Sequence, residues 1–167
     1  MATELYDLAV PVLDRALTNL AAFLAKGEAW ADEHGVPHSA LLEGRLAPDM
    51  HPLPYQIQRV SDTAKGALVR IGGLENVAMA DDEASFADLQ ARIAKTLAFV
   101  RAVPRTAIDG REEQEVVLKT PTRELTFTAR DYLLGFVIPN LFFHVTAAYA
   151  ILRHKGVPVG KMDFLGG

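Results

Sequence analysis

The sequence predicts an all-α protein, a four-helix bundle with a small β-hairpin before its last helix. Three observations predict it. Three segments repeat apolar residues at spacings of three to five, the period of a helix with one buried face, and a fourth near the end is apolar nearly all round. One short segment between the third and fourth of these alternates instead, which is the period of a strand. No internal repeat or low-complexity run interrupts the pattern, and 167 residues is about one domain. Residues 1–167 are therefore expected to form a single bundle domain.

The first stripe, Leu5, Leu8, Val12, Leu17, Leu20 and Leu24, covers Glu4 to Lys26. Pro11 lies inside it and predicts a kink, because its nitrogen cannot donate to the helix. Gly27 is the expected stop, with Lys26 in the last turn. From Ala29 to Leu53 glycines and prolines punctuate the chain, leaving short helical turns at Ala29–Glu33 and Ser39–Glu43.

The second long helix runs from Pro54 to Ile71 on Ile57, Val60, Ala64, Ala67, Leu68 and Ile71, and Gly72-Gly73 closes it. Asp62 and Lys65 on it read as a solvated pair. Asp81-Asp82-Glu83 reads as a solvated entry to the third helix, Phe86 to Val103, with Ser85 or Asp82 as its cap. The connection between the second and third helices is long enough for one crossover. Val116 and Leu118, then Leu125 and Phe127, alternate across a Thr-Pro-Thr-Arg turn and predict the hairpin over Glu115–Thr128. The last helix covers Ala129 to Lys155, kinked or restarted at Pro139 and ended by Gly156. The tail, VPVGKMDFLGG, is apolar enough to pack back on the body.

Composition narrows the function classes. The absence of cysteine removes disulfide scaffolds, thiolate metal sites and cysteine nucleophiles. The net charge of -4, without a Lys/Arg cluster, argues against a nucleic-acid partner. Glu4, Asp7 and Asp14 inside the first apolar pattern mark a mature helix and not a secretory leader, so the cytoplasm is the expected compartment. Tyr132 to Leu152 carries no formal charge and could span a bilayer by length. Pro139, Asn140, His144 and Thr146 interrupt it at a cost no membrane helix bears lightly, so it reads as a buried bundle helix. No membrane association is expected.

His144, in the apolar run FFHVTAAYAILRH, is the central candidate. Its neighbours at i+3 and i+4 are Ala147 and Ala148, so there is no His-x-x-x-His pair. His154 lies roughly 15 Å further along the axis and cannot share a metal with it. Gln56 occupies a stripe position where an apolar residue would fit, and facing His144 across the bundle would satisfy both groups. Asn140 and Tyr149 complete the candidate pocket with His144 and Gln56. Phe136, Phe142 and Phe143 are expected to be core, and Ser39 and Ser61 lack the glycine-flanked elbow of a serine nucleophile.

Two blocks, APDMHPLPYQIQRVSDTAKG from Ala47 and GFVIPNLFFHVTAAYAILRHKGVPVGKMDFLG from Gly135, resemble the DUF1993 family, itself similar in fold to the DinB and YfiT-like metalloenzymes. The resemblance covers nearly the whole chain. It implies a four-helix bundle, a homodimer, and no established activity for this branch. DinB relatives hold a divalent metal with three histidines, one from the second helix and a spaced pair from the last. His144 matches the first of that pair, Ala148 stands where the second should be, and Gln56 lies near the second-helix ligand. Alanine offers no lone pair and a neutral amide is a poor ligand for zinc or nickel. The expectation is therefore a small-molecule pocket around His144 with no metal or other cofactor. The alternatives are a divalent-metal enzyme, such as a DinB-like thiol transferase, and a purely structural or interaction protein.

Overall fold

The computed structural model describes residues 4–120 and 122–166. Pro121, in the expected hairpin turn, and Gly167, at the end of the tail, lie outside them. The elements are α1 (Leu5–His34), α2 (His38–Leu42), α3 (Leu53–Gly72), α4 (Phe86–Ala102), a 3-10 turn (Arg105–Ala107), β1 (Glu115–Lys119), β2 (Glu124–Thr128), α5 (Ala129–Tyr132), a π-helical turn (Leu133–Val137), α6 (Ile138–His154) and α7 (Lys161–Leu165). α1 packs on α4 and α6, and α3 packs on the same two helices, so α1 and α3 stand diagonally across a square. Leu13, Leu17, Leu20, Ile57, Leu68, Phe86, Leu141 and Leu152 are fully buried at its centre.

α1 continues past the predicted stop at Gly27 to His34. A Cβ at Gly27 would stand 3.0 Å from Leu152 Cδ2. The missing side chain there lets α6 approach, and the helix goes on. The turn that ends α1 is Gly35, at φ 63, in the left-handed region where glycine costs least. The expected separate turn at Ala29–Glu33 is thus the last part of α1. Ser85 caps α4: its hydroxyl accepts from Asp88 N–H while Asp88 accepts from Ser85 N–H.

Residue pairings set the helix directions. Gly27 meets Leu152 and Phe23 meets Tyr149, so α1 and α6 are parallel. Gln56 meets His144 and Thr63 meets Asn140, so α3 opposes α6. Gln90 reaches Ala21 and Arg101 reaches Asp14, so α4 opposes α1 and runs with α3. Two consecutive parallel helices need a connection that returns the full length of the bundle, roughly 30 Å for α3 with its 20 residues. Gly73–Ser85 makes that return as an extended strap along α3.

Charged side chains hold the strap, and here two expectations are corrected. Lys65 is buried, and its Nζ donates to the carbonyl of Val77 at 2.8 Å while pairing with Asp62 at 3.3 Å. It is not half of a solvated pair. Asp81 and Glu83 are not a solvated helix entry either. Arg92, 4% exposed, donates to Ala80 O, Asp81, Glu83 and Asp62 at 2.7–2.9 Å, and Gln58 donates to the other oxygen of Glu83. Burial opposes ionisation of Glu83, and the bonds from Arg92 and Gln58 overcome it and hold its carboxyl below the usual range. An extended strap exposes carbonyls that no helix satisfies, and these cations satisfy them.

The hairpin pairs antiparallel from Glu115 with Thr128 to Lys119 with Glu124. The last helix restarts at Pro139, as expected. Proline lacks the N–H and its ring crowds the carbonyl four residues back, at Gly135, and the π turn at Leu133–Val137 widens the ladder there. Leu5–His34 and Ala129–His154 are long and apolar enough to cross a bilayer, and each packs on neighbouring helices of the bundle. The tail returns as α7, where Asn19 Nδ2 donates to the carbonyl of Phe164 at 3.0 Å.

Candidate site between the third and sixth helices

Antiparallel packing of α3 on α6 sets two polar rungs across an otherwise apolar seam. In the first, Asn140 Nδ2 donates to Thr63 Oγ1 at 2.8 Å. In the second, one turn further along α6, His144 Nδ1 and Gln56 Oε1 are 2.8 Å apart. The facing of Gln56 and His144 anticipated from spacing is thus present.

The chemistry of this rung fixes the imidazole tautomer. Gln56 Nε2 donates to the carbonyl of His51 at 3.0 Å. A carbonyl can only accept, so the amide nitrogen points at His51 and the amide oxygen at His144. His144 Nδ1 must therefore carry the hydrogen, which leaves the Nε2 lone pair free. Burial lowers the imidazole pKa first, and the charges of Arg59 and His51 lower it further, to about 4. The ring is neutral at pH 7.

Sequence reasoning missed the aromatic and charged residues beside this imidazole. Tyr55 and Arg59, four apart on α3, share one face, and His51, two residues ahead of the helix, folds against them. The His51 and Tyr55 rings stack with centroids 3.8 Å apart, Arg59 lies 5.1 Å over Tyr55, and Tyr55 meets the His144 ring edge-on at 6.3 Å. Arg59 also pairs with Asp62 and Asp81, and its Nε is buried without a partner among the described residues. The four-residue repeat was the available signal.

Phe143 closes the outer side, edge-on to His144 at 5.1 Å and 59% exposed. That corrects its expected place in the core: the helix turns it outward next to His144, while Phe136 and Phe142 are partly buried against the core. Tyr149 is also elsewhere. Its ring packs edge-on to Phe23 of α1 and Phe164 of α7, and its hydroxyl donates to Val159 O at 3.4 Å. His144, Gln56 and Asn140 come together on the α3 side, and Tyr149 does not join them.

The residues do not fit a three-histidine metal centre. Both ends of the Gln56 amide are engaged, Ala148 is buried apolar packing, and His144 is the one imidazole that α6 presents here. Among the described residues no group of three His, Asp or Glu side chains is placed to share a metal ion.

A family model described as a domain of unknown function, DUF1993, matches residues 5–165. The chain belongs to the DUF1993 family. The crystal structure of a DinB family member protein from Shewanella denitrificans is similar to it with a TM-score of 0.88 and 36% identity, covering 98% of this chain and 92% of that one. No curated protein matches the chain. This DUF1993 member is thus a DinB-like helical bundle with a neutral imidazole on its α3–α6 seam.

Proposed function

We propose that this DUF1993 protein binds a small molecule at His144 without a metal, through the free Nε2 lone pair. The observation that carries the reading is the Gln56 rung, which commits Nδ1 as a donor and leaves Nε2 as an acceptor. A neutral acceptor beside aromatic rings suits a ligand with a hydroxyl or amide N–H and a flat apolar body. The protein is placed in the cytoplasm and as a homodimer on this reading. Phe143, 59% exposed and edge-on to His144, supports a second copy against that side, where it would also wall the His144 site.

Ligand-observed NMR with a panel of aromatic alcohols, amides and hydroxy acids tests the reading, with His144→Gln alongside. Hits that bind the wild type and vanish in His144→Gln, with the fold retained, would establish the site. Hits that survive the substitution would remove it. A stoichiometric metal in the purified protein that is lost in His144→Ala would replace the proposal with the divalent-metal enzyme reading.

A further inference from the structure

A second hollow, independent of His144, lies on the other side of α6. It has a volume of about 450 Å³ and runs between α1 and α6 under α7. Pro11, Val12, Ala16, Ile138, Phe142 and Phe164 supply its apolar walls. The size is within the roughly 300–1,000 Å³ of small-molecule sites. At roughly 30 Å³ for a water-sized group, it offers room for about fifteen such groups.

The charges at its edge are unequal. Asp7, on the rim, is bound by both terminal nitrogens of Arg105, at 2.6 and 2.9 Å. Asp14, one residue before the rim, is bound by Arg101 in the same two-handed way at 2.8 and 2.9 Å. Arg15 on the rim has no ion pair among the described residues. The hollow therefore presents one unneutralised guanidinium beside a long apolar floor. Its roof is the five-residue α7, tied down by Asn19 to Phe164 O and by Lys26 to Asp163 at 3.1 Å. Leu165 at the mouth is 49% exposed, so the apolar lining continues to the opening.

We propose that this hollow binds the acyl chain of a medium-length carboxylate, with Arg15 as the counter-ion for its head. An apolar chain leaves water for the Val12, Ile138 and Phe142 walls, and the carboxylate stays at the rim, where it can meet the guanidinium two-handed. Neither the Asp7 nor the Asp14 carboxylate repels it, because each is already neutralised by an arginine.

Calorimetric titration of the full chain with hexanoate, octanoate and decanoate, each below its micelle concentration, tests the proposal. Decanol serves as the headless control. Affinity should tighten about fourfold per methylene until the hollow is full. Arg15→Gln, a surface change, should weaken decanoate about two- to fivefold at low salt and leave decanol unchanged. Val12→Phe should weaken both by occupying the floor, with an unchanged circular-dichroism spectrum. Absence of saturable decanoate binding, or affinity independent of chain length, would overturn it. So would equal loss of decanoate and decanol in Arg15→Gln. Failure to bind, in a dimer that Val12→Phe dissociates, would assign the hollow to a second copy of the chain.

Discussion

Acidification is the perturbation that isolates His144. Folded, its pKa is about 4; unfolded, it returns to the ordinary 6.5. A histidine with a depressed folded pKa is neutral in the native state, so between those values the unfolded chain binds more protons. Stability from this group is therefore complete above pH 6.5, and is lost progressively as pH falls toward 4. The full shift corresponds to a ceiling of about 3 kcal/mol. The ring is only half-buried and solvent screens it, so roughly half of that, ~1.5 kcal/mol, is the expected contribution. About 1 kcal/mol of it should be gone by pH 5.

Urea unfolding of the wild type and of His144→Gln at pH 8, 7, 6 and 5 measures this directly. Glutamine can still donate to Gln56 Oε1 but does not titrate, so it carries a pH-independent cost of about 1–3 kcal/mol. The other histidines are common to both proteins and cancel in the difference. The carboxylates held below their usual range, Asp7, Asp14, Glu83, Asp88 and Asp163, lose most of their contribution as pH falls below the ordinary carboxylate values of 3.8–4.5, outside the measured window, and are common to both proteins. The gap between the two proteins should narrow by about 1 kcal/mol from pH 8 to pH 5. Parallel curves would refute the neutral, desolvated imidazole and with it the free Nε2 acceptor.

Arg92→Met should cost about 2–4 kcal/mol in urea unfolding, because buried Glu83 loses its cation, while Asp62 and Asp81 are partly exposed and keep Arg59. A loss under 1 kcal/mol would mean that the strap is not held by these ion pairs. Gly156→Ala should cost about 1–2 kcal/mol, since φ is 101, where a side chain strains the backbone, although a Cβ would make only an ordinary contact with the Trp30 ring at 3.5 Å. Gly160→Ala, at φ -130, is the control expected to leave the melting temperature unchanged.

The helical stripes were legible because apolar spacing reports burial directly, and most residues of the first three stripes are buried in the structure. Gly27 was misread because glycine does two different jobs, turning the chain and admitting a neighbour, and only the position of Leu152 tells them apart. Lys65 and Arg92 were unreadable as buried residues for a related reason. Their partners are Val77 O, Ala80 O and strap carboxylates, which reach them only through a long-range crossover.

The site divides along the same line. Gln56 stood out as a polar residue on an apolar stripe, and its partner followed from the antiparallel seam. Tyr149 could have been set aside from the sequence. Five residues at roughly 100° each put it about 140° from His144 around α6. The His51, Tyr55 and Arg59 repeat was visible, but its meaning depends on α6 delivering an imidazole edge-on to Tyr55. A metal centre shared between the two helices would need a lone pair from α3. Here Gln56 spends its oxygen on Nδ1–H and its nitrogen on a backbone carbonyl, so α3 orients the histidine and does not share in its chemistry. The Gln56 rung leaves Nε2 as an acceptor unpaired among the described residues, and on the proposed reading that atom is the place to look for a ligand.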